Sequence, residues 1–309
     1  MIVPSPYLAE ISLLGTVLIW GGNFVVSKVA MNYFPPSVFV TVRYVMATPL
    51  LFLLLKLREE KAGIDCGELI PLAFLGLTGV AMYQMFFIHA VAYTTATNAS
   101  LLNNTSPLFG AVLTVVSRQE KASLVKYAGM LLAFFGVAAF IGTSSLPLGG
   151  RHFLGDALGL AGAACFAVYS TLSVPILRKH SPLKVTAYAA LFGTVVLLAL
   201  NLVQVVRLDW QQVPASGWLA LMYTTVLSTV FAFVAWYTGL KAVGATGAMV
   251  YQYLVPVVGA LCSVIFLGEV ITLKQAAAGL IVISGIALVK GADGRQTGQT
   301  QKLGKSHAG

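Results

Sequence analysis

Residues 96–124 read ATNASLLNNTSPLFGAVLTVVSRQEKASL, and residues 245–273 read ATGAMVYQYLVPVVGALCSVIFLGEVITL. The two stretches align without gaps at an offset of 149. The alignment pairs Thr97 with Thr246, Pro107 with Pro256, Gly110 with Gly259, Val115 with Val264, Glu120 with Glu269 and Leu124 with Leu273. Its register persists to Gly136 with Gly285. Upstream, at an offset of 146, Trp20 falls on Phe166, Asn23 on Tyr169 and Pro36 on Pro182. Apolar sequences align easily by chance. A proline and a glutamate paired at one spacing are harder to dismiss, so the chain reads as an internal duplication.

Composition says where the duplicated units live. The 309 residues are 58% hydrophobic and only 9% charged. A soluble domain carries about 25% charged residues. Apolar stretches of membrane-crossing length recur along the whole chain, about 20 residues sufficing for each helix. Lipid offers the backbone no hydrogen-bond partners, so such stretches are expected to be helical. The short alternating segments of a membrane β-barrel are missing. The reading is an all-α integral membrane protein with helices at about 8–30, 37–56, 68–89, 96–116, 124–142, 154–176, 183–206, 215–238, 246–266 and 273–290. Segments such as YFPPS, KLREEKAGIDCGE, SRQEKAS, LRKHSP and KAVGAT separate them, with proline and glycine as the breakers. Ten transmembrane helices in two related halves give five-helix repeats at 8–142 and 154–290, followed by a Gly- and Gln-rich tail, 291–309, expected to be disordered.

An odd number of helices per half places the second half upside down relative to the first. Lys and Arg agree. With both termini cytoplasmic, 14 of the 19 fall in cytoplasmic segments and three, Arg151, Arg207 and Lys274, fall outside. The other two, Lys28 and Arg43, lie within helices. A 5+5 inverted repeat of this kind places a binding site near the midplane, in a central cavity between the halves. The net charge of +9 therefore marks topology, and nucleic acid is not an expected partner. The expected location is the inner (plasma) membrane, multi-pass. The lipid bilayer and a small-molecule substrate are the expected partners, with monomer and homodimer both left open. The N-terminal MIVPSPYLAEISLLG has no basic n-region or small-residue cleavage site, so the first apolar run reads as a retained helix. Cys66, Cys165 and Cys262 fit no metal-ligand spacing, and neither a metal nor a cofactor is expected.

These features together resemble EamA-type proteins of the drug/metabolite transporter superfamily. Trp20 and Asn23, the Pro35-Pro36 loop leading to Arg43, SPLFGAVLTVVSRQE around Pro107 and Glu120, and YLVPVVGALCSVIFLGE around Pro256 and Glu269 carry the resemblance. It spans about residues 8–290. It implies a basket of helices around a central cavity, termini inside, and export of amino acids or other metabolites. Gln119 precedes Glu120 where the family usually has glycine, a departure confined to a loop.

Thr16, Trp20, Asn23 and Ser27 form one stripe on the first helix. A polar stripe in lipid faces protein or water; cavity lining and interhelical hydrogen bonding both satisfy it. Arg43 lies about two turns inside the second helix, where a charge needs a partner or water. Its fork of donors suits a carboxylate or phosphate, and it equally suits tying helices together. In the fourth helix Thr97, Ser100 and Asn104 share a face, with Asn103 on its flank. Their counterparts are Tyr251, Gln252 and Tyr253, before Pro256. Equivalent clusters in inverted halves should meet near the pseudo-symmetry axis. Among polar-tipped aromatics, Tyr83, Tyr169 and Trp236 are further cavity candidates. Glu120 and Glu269 suit the positive N-terminal end of the following helix. His89, near a helix end, reads as solvated.

The substrate-binding set is thus Trp20, Asn23, Arg43, Tyr83, Ser100, Asn103, Asn104, Tyr169, Trp236, Gln252 and Tyr253. A cavity with Arg, amides and aromatics but no central carboxylate suits a solute with a carboxylate and an apolar part, such as an amino acid. Alternating access would carry it, with export the expected direction. The alternative is a proton-coupled exporter of lipophilic cations, for which only Glu10 is available as the acid. A membrane enzyme would need a nucleophile with a base, or a metal cluster. Four scattered histidines and no clustered acids argue against one.

Overall fold

Apolar runs bounded by proline and glycine fold here into helices. The computed structural model describes residues 6–60, 62–93, 99, 102–119, 124–141, 150–267, 273–274 and 276–289, and no strand occurs among them. The candidate roles of Glu120 and Glu269 and the expected tail, 291–309, lie outside the described residues. Six described segments are long and apolar enough to cross a membrane: Tyr7–Ser27, Pro36–Arg58, Cys66–Tyr93, Phe153–Lys179, Pro182–Arg207 and Ala215–Gly259. Ser106–Val116, Leu124–Gly136 and Ala276–Val289 are shorter apolar helices.

In chain order the helices are α1 (Pro6–Ala30), α2 (Pro36–Arg58), α3 (Cys66–Leu75), α4 (Tyr83–Tyr93), α5 (Ser106–Val116), α6 (Leu124–Ile141), α7 (Gly150–Lys179), α8 (Pro182–Arg207), α9 (Ala215–Tyr223), α10 (Ala232–Met249), α11 (Val255–Leu267) and α12 (Ala276–Val289). One π-helical segment, Gly76–Met82, joins α3 to α4, and a second, Thr224–Phe231, joins α9 to α10. A 3-10 turn, Val250–Leu254, joins α10 to α11.

Local chemistry sets several of these boundaries. Pro36 and Pro182 open α2 and α8, where a missing N–H costs nothing. Ser181 caps α8 by accepting from the Lys184 backbone N–H at 3.1 Å. Pro107 lies at the start of α5, and a turn at Asn104–Thr105 precedes it. The predicted helix 96–116 is therefore interrupted at that point, because proline cannot donate to the preceding turn and crowds its carbonyl. Pro256 follows the 3-10 turn in the same relation. The 45-residue run Ala215–Gly259 is divided at Gly244, with φ 77° and ψ 176°. That backbone region is open essentially to glycine alone, and it falls in the predicted KAVGAT break.

α1 packs on α10 and α11, α4 and α5 on α7, and α2 on α8. The first π segment lies against α8 and the second against α2. Small residues set the closest approaches. A Cβ on Gly129 would stand 2.8 Å from the Gly285 carbonyl oxygen, and one on Gly136 would stand 2.8 Å from Val282 N. α6 and α12 therefore meet backbone to backbone, as membrane helices do where glycine allows. Between α2 and α8 the hydroxyls of Thr48 and Thr194 bond at 2.8 Å, and Asn201 donates to Thr41 Oγ1 at 3.1 Å. At the start of α8 Lys184 lies 3.4 Å from Glu59, which follows α2, and Lys179 at the end of α7 lies 2.7 Å from Glu68 of α3.

Candidate functional site: a polar cavity around Arg43

A cavity of about 510 Å³, counting the space open to solvent, lies between α1, α2, α4, α10, the second π segment and the segments before Pro107 and Pro256. Its wall carries Trp20, Asn23 and Phe24 from α1, Arg43 from α2, and Tyr83, Gln84 and Phe87 from α4. Asn103 and Asn104 come from the turn before Pro107; Ser228, Phe233, Gln252 and Val255 complete it.

Arg43 is the only charged residue on the described wall. It is 3% exposed. Its Nη2 donates to Gln84 Oε1 at 2.5 Å, and its guanidinium carbon sits 5.1 Å from the centre of the Tyr44 ring. Its Nε has no partner among the described residues. A buried cation held by a neutral amide and an aromatic face keeps its full charge available to the cavity. Asn23, also buried, has an Oδ1 that accepts no hydrogen bond from the described residues.

The clusters before the two prolines meet here. Ser106 Oγ donates to Gln252 Oε1 at 2.5 Å, and about two turns further along α5 the hydroxyls of Thr114 and Thr246 stand 3.3 Å apart. Trp20 Nε1 donates to the Ser228 carbonyl at 3.2 Å, a group within the second π segment, and such segments recur at functional sites. The rest of the first-helix stripe divides. Thr16 Oγ1 bonds the carbonyls of Ser12 and Ala232, which is packing. Ser27 is buried, and its hydroxyl has no partner among the described residues.

Seven of the eleven expected site residues line the cavity: Trp20, Asn23, Arg43, Tyr83, Asn103, Asn104 and Gln252. Ser100 lies outside the described residues. Tyr169 and Trp236 are not on the wall. They belong to a packed aromatic cluster, with Tyr169 5.3 Å from the Tyr237 ring and Trp236 5.4 Å from Trp20 and 5.6 Å from Phe166. Tyr253 packs instead with Ala111, Met130 and Val282. Glu10 is not on the wall, and His89 Nδ1 lies 2.8 Å from the Met85 carbonyl of its own helix. Gln84 was legible as the one amide in an apolar run, a costly placement in lipid. Phe24, Phe87, Phe233 and Val255 carried no signal separating cavity wall from lipid face.

Long apolar helices around a buried polar cavity define a membrane transporter. The chain belongs to the EamA-like transporter family, whose sequence pattern matches it twice, over residues 7–142 and 153–291. A protein of Archaeoglobus fulgidus named an uncharacterized transporter is 33% identical over 274 residues, covering 88% of this chain and 94% of its own. A probable terminal-alkyne amino-acid exporter of Streptantibioticus cattleyicolor is 27% identical, covering 90% and 92%. A probable amino-acid metabolite efflux pump of Salmonella typhimurium is 28% identical, covering 87% and 90%. A crystal structure 18% identical in sequence matches the fold with a TM-score of 0.78, over 94% of this chain and 99% of that one.

Proposed function

We propose that this protein is a ten-helix carrier of two inverted five-helix repeats, 8–142 and 154–290, that exports small carboxylate-bearing metabolites such as amino acids. The membrane is the inner (plasma) membrane, with both termini cytoplasmic. The observation that carries the substrate class is Arg43, a buried cation facing the cavity with only neutral partners among the described residues. A carboxylate entering there would find a charge and an unused Nε donor, the pairing that guanidinium makes most strongly.

Contacts between equivalent positions support the inverted repeat. Thr48 bonds Thr194, its own counterpart at the offset of 146. Trp20 and Phe166, another such pair, stack edge to face at 5.9 Å. Ala133 meets Gly285 while Gly136 meets Val282, and at the offset of 149 the counterpart of Ala133 is Val282 and that of Gly136 is Gly285. Contacts in which i touches j′ and j touches i′ are the mark of a two-fold relation. The π segments at 76–82 and 224–231 also fall at corresponding places. Two halves so related can rock about a shared site, which is alternating access. The amino-acid exporter and efflux-pump names of the two relatives agree in substrate class.

The test is uptake of labelled amino acids by proteoliposomes, with and without a pH gradient, for the wild type and Arg43→Ala. Protein-dependent flux that falls at least tenfold in the variant supports the reading. No flux of any amino acid, with flux of a lipophilic cation instead, overturns it.

A further inference from the structure

Three amide oxygens on the cavity wall have defined hydrogen bonding. Gln84 Oε1 accepts from Arg43, and Gln252 Oε1 accepts from Ser106. Asn23 Oδ1 accepts from none of the described residues, although the side chain is 7% exposed. The same wall holds one unused donor on a cation, Arg43 Nε. Among the buried side-chain atoms of the described wall residues, Arg43 Nε is a donor on a cation without a partner and Asn23 Oδ1 is an uncharged acceptor without one.

These two atoms complement different groups. A carboxylate has acceptors only and an ammonium has donors only. We infer that the cavity is specific for zwitterions, with Arg43 taking the carboxylate and Asn23 Oδ1 taking the ammonium of an α-amino acid. The inference rests on the reading of this cavity as the transport site. It assigns Asn23 a specificity role distinct from that of Arg43. A carboxylate without an amine satisfies Arg43 but leaves Asn23 Oδ1 buried and idle, an omission worth about tenfold in affinity. An amine without a carboxylate enters beside an uncompensated Arg43 charge and is rejected more strongly. A neutral acceptor suits this task, because an aspartate in its place would pair with Arg43 and neutralise the carboxylate site.

The rings of Phe24, Phe87 and Phe233 on the same wall make phenylalanine a suitable probe. Labelled L-phenylalanine exchange is measured in proteoliposomes, with unlabelled L-phenylalanine, 3-phenylpropionate or phenylethylamine as competitor. In the wild type L-phenylalanine competes at least about tenfold better than either analogue. In Asn23→Leu the preference over 3-phenylpropionate disappears, while the preference over phenylethylamine remains. Asn23→Gln, which keeps the acceptor, restores part of the first preference. Exchange in Asn23→Leu with both preferences unchanged overturns this inference and leaves the carrier reading standing. Absence of any amino-acid flux in the wild type overturns both.

Discussion

Gly76 and Gly193 allow the first π segment to lie directly on α8, and Gly76→Ala tests how tightly that seam is closed. A Cβ at Gly76 would stand 2.6 Å from the Ala189 carbonyl oxygen and 2.8 Å from Gly193 N. Both obstacles are backbone, so no side chain can rotate away. Restoring an ordinary contact of 3.4 Å requires about 0.8 Å of helix separation. That shift bears on the neighbouring Thr48–Thr194 hydrogen bond, now 2.8 Å long. Overpacking of this kind costs about 1–3 kcal/mol. At about 2–4 °C per kcal/mol, somewhat less for a chain of this length, the melting midpoint should fall by about 2–8 °C. Gly15→Ala is the control. Nothing lies within 4 Å of a Cβ there, and alanine favours the helix by up to about 1 kcal/mol. Thermal unfolding of the detergent-solubilised protein, followed by tryptophan fluorescence, reads both. Gly76→Ala melting at or above the wild type, or Gly15→Ala losing as much, would refute the close-packed seam.

Gln84→Glu should leave the fold intact but supply Arg43 with an internal carboxylate. Amino-acid flux should then fall at least tenfold while the melting midpoint holds, which a paired transport and unfolding measurement checks. Gln84→Leu should instead lower stability by about 1–3 kcal/mol, since it strands a buried guanidinium donor. Gly244→Ala should destabilise by about 1–3 kcal/mol, because its backbone conformation excludes a Cβ; the yield of monodisperse protein and the unfolding midpoint report it. Lys179→Ala, which removes the ion pair between the exposed Lys179 and the half-buried Glu68, should change stability by no more than about 1 kcal/mol, with the difference shrinking in high salt.

Much of this arrangement could be read from particular residues. The polar clusters before Pro107 and Pro256 were legible, whereas the helices expected to run unbroken over 96–116 and 246–266 are interrupted immediately before both prolines. Arg43 announced itself by depth, because a charge two turns inside an apolar helix needs a polar surrounding. The π segments were not legible. GLTGVAM and TTVLSTVF carry no local mark of the wider i→i+5 turn. Tyr169 and Trp236 illustrate a second limit. A polar-tipped aromatic in an apolar run has the same sequence signature whether its ring lines a cavity or fills a core. Only the rotation of α7 and α10 about their axes decides, and that is set by contacts such as Tyr169 with Tyr237. The apolar wall residues were hidden for the same reason, whereas Gln84 stood in plain view beside Tyr83.

If the Arg43 cavity carries substrate by alternating access, it must be reachable from each side of the membrane in turn. Ser228→Cys places a thiol on its wall with little change of volume, in a background where Cys66, Cys165 and Cys262 are replaced by alanine. Vesicles of known orientation are then treated with a membrane-impermeant maleimide from one side or the other. Alternating access gives labelling from both sides, slowed by a transported amino acid where Arg43 is present and unaffected by it when Arg43→Ala is added. Labelling from one side only, with and without amino acid, would contradict alternating access through this cavity.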